Sequence, residues 1–227
     1  MESAKDTKVI GRIQAAVANP SPLGLFGLAM VTLIASTNKL GITSGTAYII
    51  PWALFLGAAA QLMAGILDYK VKNNFGATAF CGYGFFWLAV SMTWMIGNGM
   101  LSINPGVVTD ISQLGFAFLG YFIFSIYMTI GAMGTNKALF TIFVLIDVLF
   151  LGLFISTLNP QLLFWKYLAG SAELGISFFS FYASAANVLN SHYGLSILPL
   201  GKPFGPWVEK SIQKIDLQEE YHLDKAS

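Results

Sequence analysis

Two acidic residues inside long apolar runs are the clearest candidates for chemistry in this sequence. Asp147 and Glu173 each lie within a stretch of mostly apolar residues. A charged side chain at the centre of a bilayer costs about 2.5–3.5 kcal/mol on insertion scales, so an acid there needs a reason. Either residue could carry a proton or gate a path. The alternative is a protonated acid that links two helices or, for Glu173, a position near the outer interface.

Polar residues also follow one face of the last apolar run. They recur at helical steps of four and three: Glu173, Ser177, Ser180, Ser184, Asn187 and Ser191. This spacing puts them on a single helical face. Such a face either packs closely against another helix, where serine is common, or lines a water-filled path.

Gln61 is the strongly polar group in the middle of another apolar run. It shares a helical face with Gly57, Ala64 and Asp68. An amide at this depth serves about as often to hold helices together as to contact a substrate.

An aromatic-rich run contains Tyr83 and Phe86. Tyr83 is the more informative of the two, because its hydroxyl can donate a hydrogen bond while its ring narrows a pore. The single arginine, Arg12, precedes all the apolar runs. An anion that crossed here would therefore meet neutral donors and helix ends, and would be held weakly, as conduction requires.

The residue inventory argues against an enzyme. There are two histidines, His192 and His222, and one cysteine, Cys81. They form no credible metal cluster or Cys/His nucleophile, and no Gly-rich phosphate loop occurs. We expect no catalysis, no cofactor and no bound metal, and the net charge of +1 gives no sign of a nucleic-acid partner.

The elements that must position these residues are membrane-spanning helices. The chain is 56% hydrophobic and 10% charged, whereas soluble domains carry about 25% charged residues. Its apolar blocks have the length of bilayer spans. They predict an all-α integral membrane protein with six transmembrane helices: Pro22–Asn38, Tyr48–Leu67, Phe75–Gly97, Leu114–Met133, Ala138–Ser156 and Leu163–Asn190.

The basic residues predict the orientation. Ten of the twelve Lys and Arg residues fall on one side of six such spans, and only Lys39 and Lys166 fall on the other. The positive-inside rule then puts both termini in the cytoplasm. We predict a cytoplasmic segment over 1–18, a six-helix membrane domain over 19–201 and a cytoplasmic tail over 202–227. A polar loop is predicted between spans two and three, over 68–74. In span three we expect Gly82, Gly84, Gly97 and Gly99 to loosen the helix.

The first span opens with Asn19-Pro20-Ser21-Pro22-Leu23-Gly24-Leu25. Asn suits the N-cap and proline suits the first helical turn. Free N–H groups and the positive end of the helix dipole would then offer a place for an anion.

Three motifs in this order resemble the acetate uptake transporters of microbes, the succinate–acetate permease family. The first span opening is similar to that family's NPAPLGL signature. The segment from Ala64 to Trp87 resembles the family's second-to-third-helix region, where the family has Gly-Asn-Thr in place of Lys72-Asn73-Asn74 and often Glu in place of Asp68. The stretch from Asn187 to Gly201 resembles the closing motif.

The resemblance implies a plasma-membrane homohexamer in which the six helices of each protomer surround a central path. It implies transport of acetate and similar small monocarboxylates, with succinate as a further candidate substrate. It implies a hydrophobic constriction at Leu28, Tyr83 and Ile146. With the polar residues above, it gives these substrate-path residues: Asn19, Pro20, Leu23, Thr32, Gln61, Tyr83, Phe86, Ser184 and Asn187. Asp147 and Glu173 are the candidates for proton coupling.

Two questions stay open at this point. Transport could be proton symport or passive flow through an anion channel. A neutral-solute channel of the aquaporin kind is the alternative function, although its second Asn-Pro-Ala box and its filter arginine are missing from the sequence.

Overall fold

Six long helices make up most of the structure, a computed structural model that describes residues 18–101 and 109–208. In chain order they are α1 (Ser21–Lys39), α2 (Ile49–Lys70), α3 (Asn74–Gly97), α4 (Ser112–Ala132), α5 (Lys137–Leu158) and α6 (Leu163–Tyr193). The two described ranges contain no strand. The predicted all-α class is confirmed for this part of the chain, and each helix end lies within three residues of its predicted position.

The α2–α3 connection is shorter than predicted. Helix α2 continues to Lys70, so Asp68 is a buried helical residue rather than part of a polar loop. Asn73 then caps α3, because its Oδ1 accepts the Gly76 N–H at 3.1 Å. Charges at the end of an apolar run resemble a loop in sequence, and only the cap position fixes where the turn lies.

The middle of α2 is wound more loosely than an α-helix. Ala53–Ala60 is π-helical, and Gln61 follows it directly. Such wide turns are uncommon and frequently occur at functional sites.

Helices α1 to α5 are each long and apolar enough to cross a membrane. Helix α6 has 31 residues, but its polar face lowers its hydropathy. The chain is therefore a multi-pass membrane protein. The segments predicted to be cytoplasmic lie mostly outside the described residues, in 1–17 and 209–227.

The helices form a ring in chain order. Each one packs against the next, and α6 closes the ring on α1 in the most extensive helix pair. The α3–α4 contact has the fewest close backbone approaches of the six. A ring of this kind leaves a central axis that side chains from every helix can reach.

The glycines of α3 support close packing and do not loosen the helix. A Cβ on Gly84 would come within 2.8 Å of Leu62 Cγ, and a Cβ on Gly57 of α2 would come within 2.8 Å of Trp87 Cγ. Small residues let membrane helices approach closely, and α2 and α3 use them in this way. The expected loosening is absent from α3, which runs unbroken over 24 residues.

Candidate functional site: a path through the helical ring

Two cavities occupy opposite ends of the ring, with a small void between them. The large cavity, about 200 Å³, lies at the end where α1 begins. The small cavity, about 110 Å³, lies at the end where α1 finishes. The central void has a volume of about 10 Å³, roughly enough for one water molecule. A solute that moves between the two cavities has to pass this narrow part.

The constriction residues implied by the family resemblance lie together at this narrow part. Leu28, Tyr83 and Ile146 each line both the large cavity and the central void. They come from α1, α3 and α5, and all three are nearly fully buried. The barrier between the cavities is therefore apolar, apart from a tyrosine hydroxyl.

Phe86 and Thr32 lie on the far side of that barrier. Phe86 lines both the void and the small cavity. It packs edge-on against Phe150 and Tyr121, with ring centroids 5.0 and 4.9 Å apart. Thr32 lines the void, but its hydroxyl donates to the Leu28 carbonyl at 2.7 Å. Its polar atom is thus directed to the backbone of α1.

The Tyr83 hydroxyl is bound to a residue that sequence reasoning missed. It lies 3.1 Å from Ser125 Oγ on α4, and the ring stacks on Phe150 with centroids 6.2 Å apart. The ring of Tyr83 is therefore held from two sides. Ser125 belongs to no polar pattern in the α4 sequence, which gave no signal of this partnership.

Asp147 does not line either cavity or the void. It follows Ile146 on α5 and is half-buried, and its Oδ2 accepts the Thr129 hydroxyl at 2.7 Å. Its Oδ1 is buried and has no hydrogen-bond partner among the described residues. Asp147 therefore lies beside the barrier, on the seam between α4 and α5.

Glu173 forms an ion pair at the small cavity. Its Oε2 lies 2.8 Å from Lys39 Nζ, and both residues line that cavity. Glu173 is 1% exposed, so its charge is balanced mainly by this one lysine. This burial is within the protein, so the alternative of a position near the outer interface stays a prediction. Lys39 is the last residue of α1, whereas Glu173 lies ten residues after the start of α6, so nothing in the sequence indicated that the two would pair.

The first turn of α1 does not offer the free donors that were expected there. The Ser21 N–H donates to Asn19 Oδ1 at 3.0 Å, and Pro22 has no N–H. The N–H groups of Leu23 and Gly24 both donate to the Pro20 carbonyl. Pro20 is therefore the N-cap, without a side-chain cap. An anion would find no unpaired backbone N–H in this turn.

Three predicted path residues near this turn lie away from the large cavity lining. Asn19 and Leu23 are on the outside of the ring, with Leu23 40% exposed. Pro20 is buried, but it is not part of the cavity wall. Ser21 and Leu25 face the cavity in their place. They belong to the same motif, so the motif correctly located the cavity wall, but the residues that we selected from it do not line the cavity.

The polar face of α6 mostly packs against α1. Ser177 donates to the Ala29 carbonyl at 2.8 Å, and Ser184 donates to the Pro22 carbonyl at 2.8 Å. Asn187 is different, because it lines the large cavity while its Nδ2 donates to Ala183 within the helix. The two serines therefore pack helix against helix, whereas Asn187 lines the path.

Gln61 lies in the wall of the large cavity. Its Nε2 donates to the Gly57 carbonyl at 2.9 Å. Its Oε1 is buried and has no hydrogen-bond partner among the described residues. The residue is fully buried, so bulk solvent does not satisfy this acceptor.

The large cavity has a mostly apolar lining with a few uncharged polar groups. Among the described residues that line it there is no Lys, Arg, Asp or Glu. Its polar groups are hydroxyls and amides, from Ser21, Gln61, Asn73, Thr135, Asn136 and Asn187. No group of three or more potential metal-ligating residues occurs in the described ranges.

Comparisons with known proteins point to one family. The sequence profile of the GPR1/FUN34/yaaH family matches residues 6–201. The Succinate-acetate/proton symporter SatP of Escherichia coli (strain K12) is 31% identical over 189 residues, which is 82% of this chain and 96% of that protein. Acetate permease A of Emericella nidulans is 28% identical over 205 residues, 83% of this chain and 68% of the permease. The structure of the bacterial acetate channel SatP resembles this one with a TM-score of 0.75 at 31% identity, covering 82% of this chain and all of that one.

Proposed function

Because this chain belongs to the GPR1/FUN34/yaaH family, we propose that it moves acetate and similar small monocarboxylates across a membrane. Succinate is a further candidate substrate, since one relative is named a succinate-acetate/proton symporter. The relatives reported above are named as transporters, permeases or channels, and we propose transport rather than catalysis for this chain as well.

One structural observation carries the proposal: two cavities at opposite ends of the ring meet at an apolar barrier. A short monocarboxylate has a polar end and an apolar end. Its carboxyl group can hydrogen-bond to the neutral groups of the large cavity, while its methyl group suits the barrier of Leu28, Tyr83 and Ile146. A barrier this narrow favours a two-carbon acid over longer ones.

We assign different roles to the predicted path residues according to their contacts. Gln61 and Asn187 would contact the substrate in the large cavity, and Phe86 would contact it beyond the barrier. Asn19 and Ser184 would act by holding the first turn of α1, through their bonds to Ser21 N–H and the Pro22 carbonyl.

The membrane arrangement is a further part of the proposal. We propose that α6 is a sixth span and that both termini are cytoplasmic, because of the distribution of Lys and Arg. The large cavity would then open to the cytoplasm and the small cavity to the outside. The resemblance to the acetate uptake transporters supports a homohexamer in the plasma membrane, which native mass spectrometry of the detergent-solubilised protein would test.

The experiment that tests the function is labelled acetate uptake into proteoliposomes, with and without an inward proton gradient at clamped membrane potential. We expect uptake above that of protein-free vesicles. Concentrative uptake that collapses with the proton gradient would indicate symport, and uptake that equilibrates and follows the potential would indicate an anion channel. Uptake no greater than that of empty vesicles would refute acetate transport.

Variants of the two acids test how a proton would be coupled. A protein group that carried it would be Asp147 or Glu173, our candidates from the sequence. In that case Asp147→Asn or Glu173→Gln should leave equilibrating acetate uptake in place while abolishing the response to the proton gradient. A matched change at the exposed Asp110, Asp110→Asn, should leave both unchanged.

A further inference from the structure

The unpartnered oxygen of Gln61 indicates which form of the substrate the large cavity takes. Gln61 Nε2 donates to the Gly57 carbonyl at 2.9 Å. The side chain cannot be turned over, because Oε1 would then face that carbonyl and two acceptors would meet. The atom left unpaired is therefore an acceptor, buried without a partner in the described part of the chain, on a residue that lines the large cavity.

A buried acceptor without a hydrogen bond is costly, so this site favours a ligand that brings a donor. A carboxylate anion carries acceptors alone and would leave Gln61 Oε1 unpaired. A protonated carboxylic acid has one O–H donor and a carbonyl acceptor. It can donate to Gln61 Oε1 while its carbonyl accepts from a neighbouring hydroxyl or amide.

Donors for that carbonyl are present in the same cavity. Asn136 uses its Oδ1 to accept the Leu139 N–H at 2.9 Å, and its NH₂ group has no partner among the described residues. The Ser21 hydroxyl also lines the cavity and has no described partner. The cavity thus combines an unused acceptor with unused donors.

The distribution of charged residues around the large cavity also favours a neutral ligand. No Lys or Arg lies among the described residues that line the large cavity. Two acids on the helices that line it, Asp68 on α2 and Asp147 on α5, are negative when ionised, so neither favours an anion. The lysine of the small cavity is already paired with Glu173 at 2.8 Å. A neutral ligand meets none of these costs.

We propose that the large cavity binds the neutral, protonated acid, and that Gln61 Oε1 accepts its O–H. This inference rests on the proposed transport function. The acid is protonated by water on one side and releases the same proton on the other, so one proton crosses with each carboxylate. On this account the proton moves on the substrate, and neither Asp147 nor Glu173 has to carry it.

The proposal assigns a second class of ligand to the site, the small primary amides. Acetamide, acetone and acetic acid have the same number of non-hydrogen atoms and nearly the same shape. Acetamide has an N–H donor for Gln61 Oε1 and a carbonyl, whereas acetone has the carbonyl alone. We therefore expect acetamide to inhibit labelled acetate uptake at least about tenfold more strongly than acetone, since acetone leaves the acceptor unpaired.

The experiment measures inhibition of protein-dependent acetate uptake in proteoliposomes by acetamide and by acetone. Equal inhibition by the two compounds, or none by either while acetate uptake is intact, would overturn this proposal and leave acetate transport standing. Absence of protein-dependent acetate uptake would instead contradict the transport function itself.

A pair of variants locates the effect. Gln61→Met keeps the length of the side chain and removes the acceptor, so the preference for acetamide over acetone should disappear. The matched control is Gln161→Met, at an exposed glutamine between α5 and α6, which should keep the preference. A preference that survives in Gln61→Met would remove Gln61 from the proposal. The comparison of inhibitors in the unaltered protein stands even if that variant does not assemble.

Discussion

The two ends of the seam between α1 and α6 are fastened by different chemistry. At the small cavity, Lys39 and Glu173 form an ion pair at 2.8 Å, with Glu173 almost fully buried. Towards the large cavity, neutral hydroxyls form the hydrogen bonds between the helices. Ser177 donates to the Ala29 carbonyl, and Ser184 donates to the Pro22 carbonyl. The same two helices are thus joined by charge at one end and by serine at the other.

Because of this difference, breaking the seam should cost a different amount of stability at each end. A buried ion pair contributes little net stability when intact, but losing one partner leaves an uncompensated charge and is costly. A serine-to-carbonyl bond costs about 1 kcal/mol to lose. The end near the large cavity is therefore easier to open, and it is the end where a substrate would meet neutral groups.

The ion pair should give the largest effect on stability. Lys39→Met leaves Glu173 buried without its cation, so we expect the free energy of unfolding to fall by about 3–5 kcal/mol. Chemical denaturation in detergent, followed by circular dichroism, measures this. Lys166→Met, at an exposed lysine of α6, is the matched control and should change stability by less than about 0.5 kcal/mol. A loss in Lys39→Met no larger than the control would mean that water, rather than Lys39, supports Glu173.

The barrier between the two cavities should give the next largest effect. Ile146→Ala removes an apolar side chain that lines both the large cavity and the void. We expect uptake of a four-carbon monocarboxylate, relative to acetate, to rise about tenfold, because one or two methylenes in an apolar site are worth that much. The ratio of the two uptake rates in proteoliposomes measures it. Leu145→Ala, one residue earlier and outside the cavity lining, should leave the ratio unchanged; a shift of equal size there would show that the change is not local to the barrier.

Much of the fold follows from local sequence, because the helix ends depend on nearby residues. Proline and asparagine at 19–22, the glycine at 194 and the short polar turns each act within one helical turn. Asp68 is the exception. Its charge suggested a loop, but it lies in α2, and Asn73 at the start of the next helix donates a hydrogen bond to it. A charged residue at the end of an apolar run does not reveal whether a partner folds back onto it.

The site was less predictable because it depends on partners that are far apart in the chain. Lys39 and Glu173 are 134 positions apart, and Tyr83 and Ser125 are 42 apart. The spacing of polar residues on α6 correctly predicted a single face, but it could not show that Ser177 and Ser184 would face α1. The barrier residues came from a motif resemblance, and no periodicity in the sequence would have brought them together.

The serine end of the seam should show a smaller effect than the ion-pair end. Ser184→Ala removes the bond to the Pro22 carbonyl at 2.8 Å, and we expect a loss of about 1 kcal/mol in the free energy of unfolding. The control is Ser156→Ala, whose hydroxyl bonds only within its own helix at 3.4 Å. The denaturation assay used for Lys39→Met allows direct comparison. If Ser184→Ala costs as much as Lys39→Met, the two ends do not differ in the way proposed.

The smallest effect on the free energy of unfolding is expected in the turn between α2 and α3, beside the large cavity. Here we expect a gain in stability rather than a loss. Lys72 has φ = 62°, a left-handed conformation that strains a residue with a Cβ and suits glycine. The resembling family has glycine at this position. Lys72→Gly should therefore raise the free energy of unfolding by about 0.5–1 kcal/mol, the relief of strain being partly offset by the greater freedom of glycine in the unfolded chain. Lys72→Ala removes the same charge and keeps the strain, so it should bring no gain. If both variants raise the free energy of unfolding equally, the effect comes from the lost charge. If only Lys72→Gly raises it and acetate selectivity is unchanged, this turn contributes to stability without affecting the chemistry of the cavity beside it.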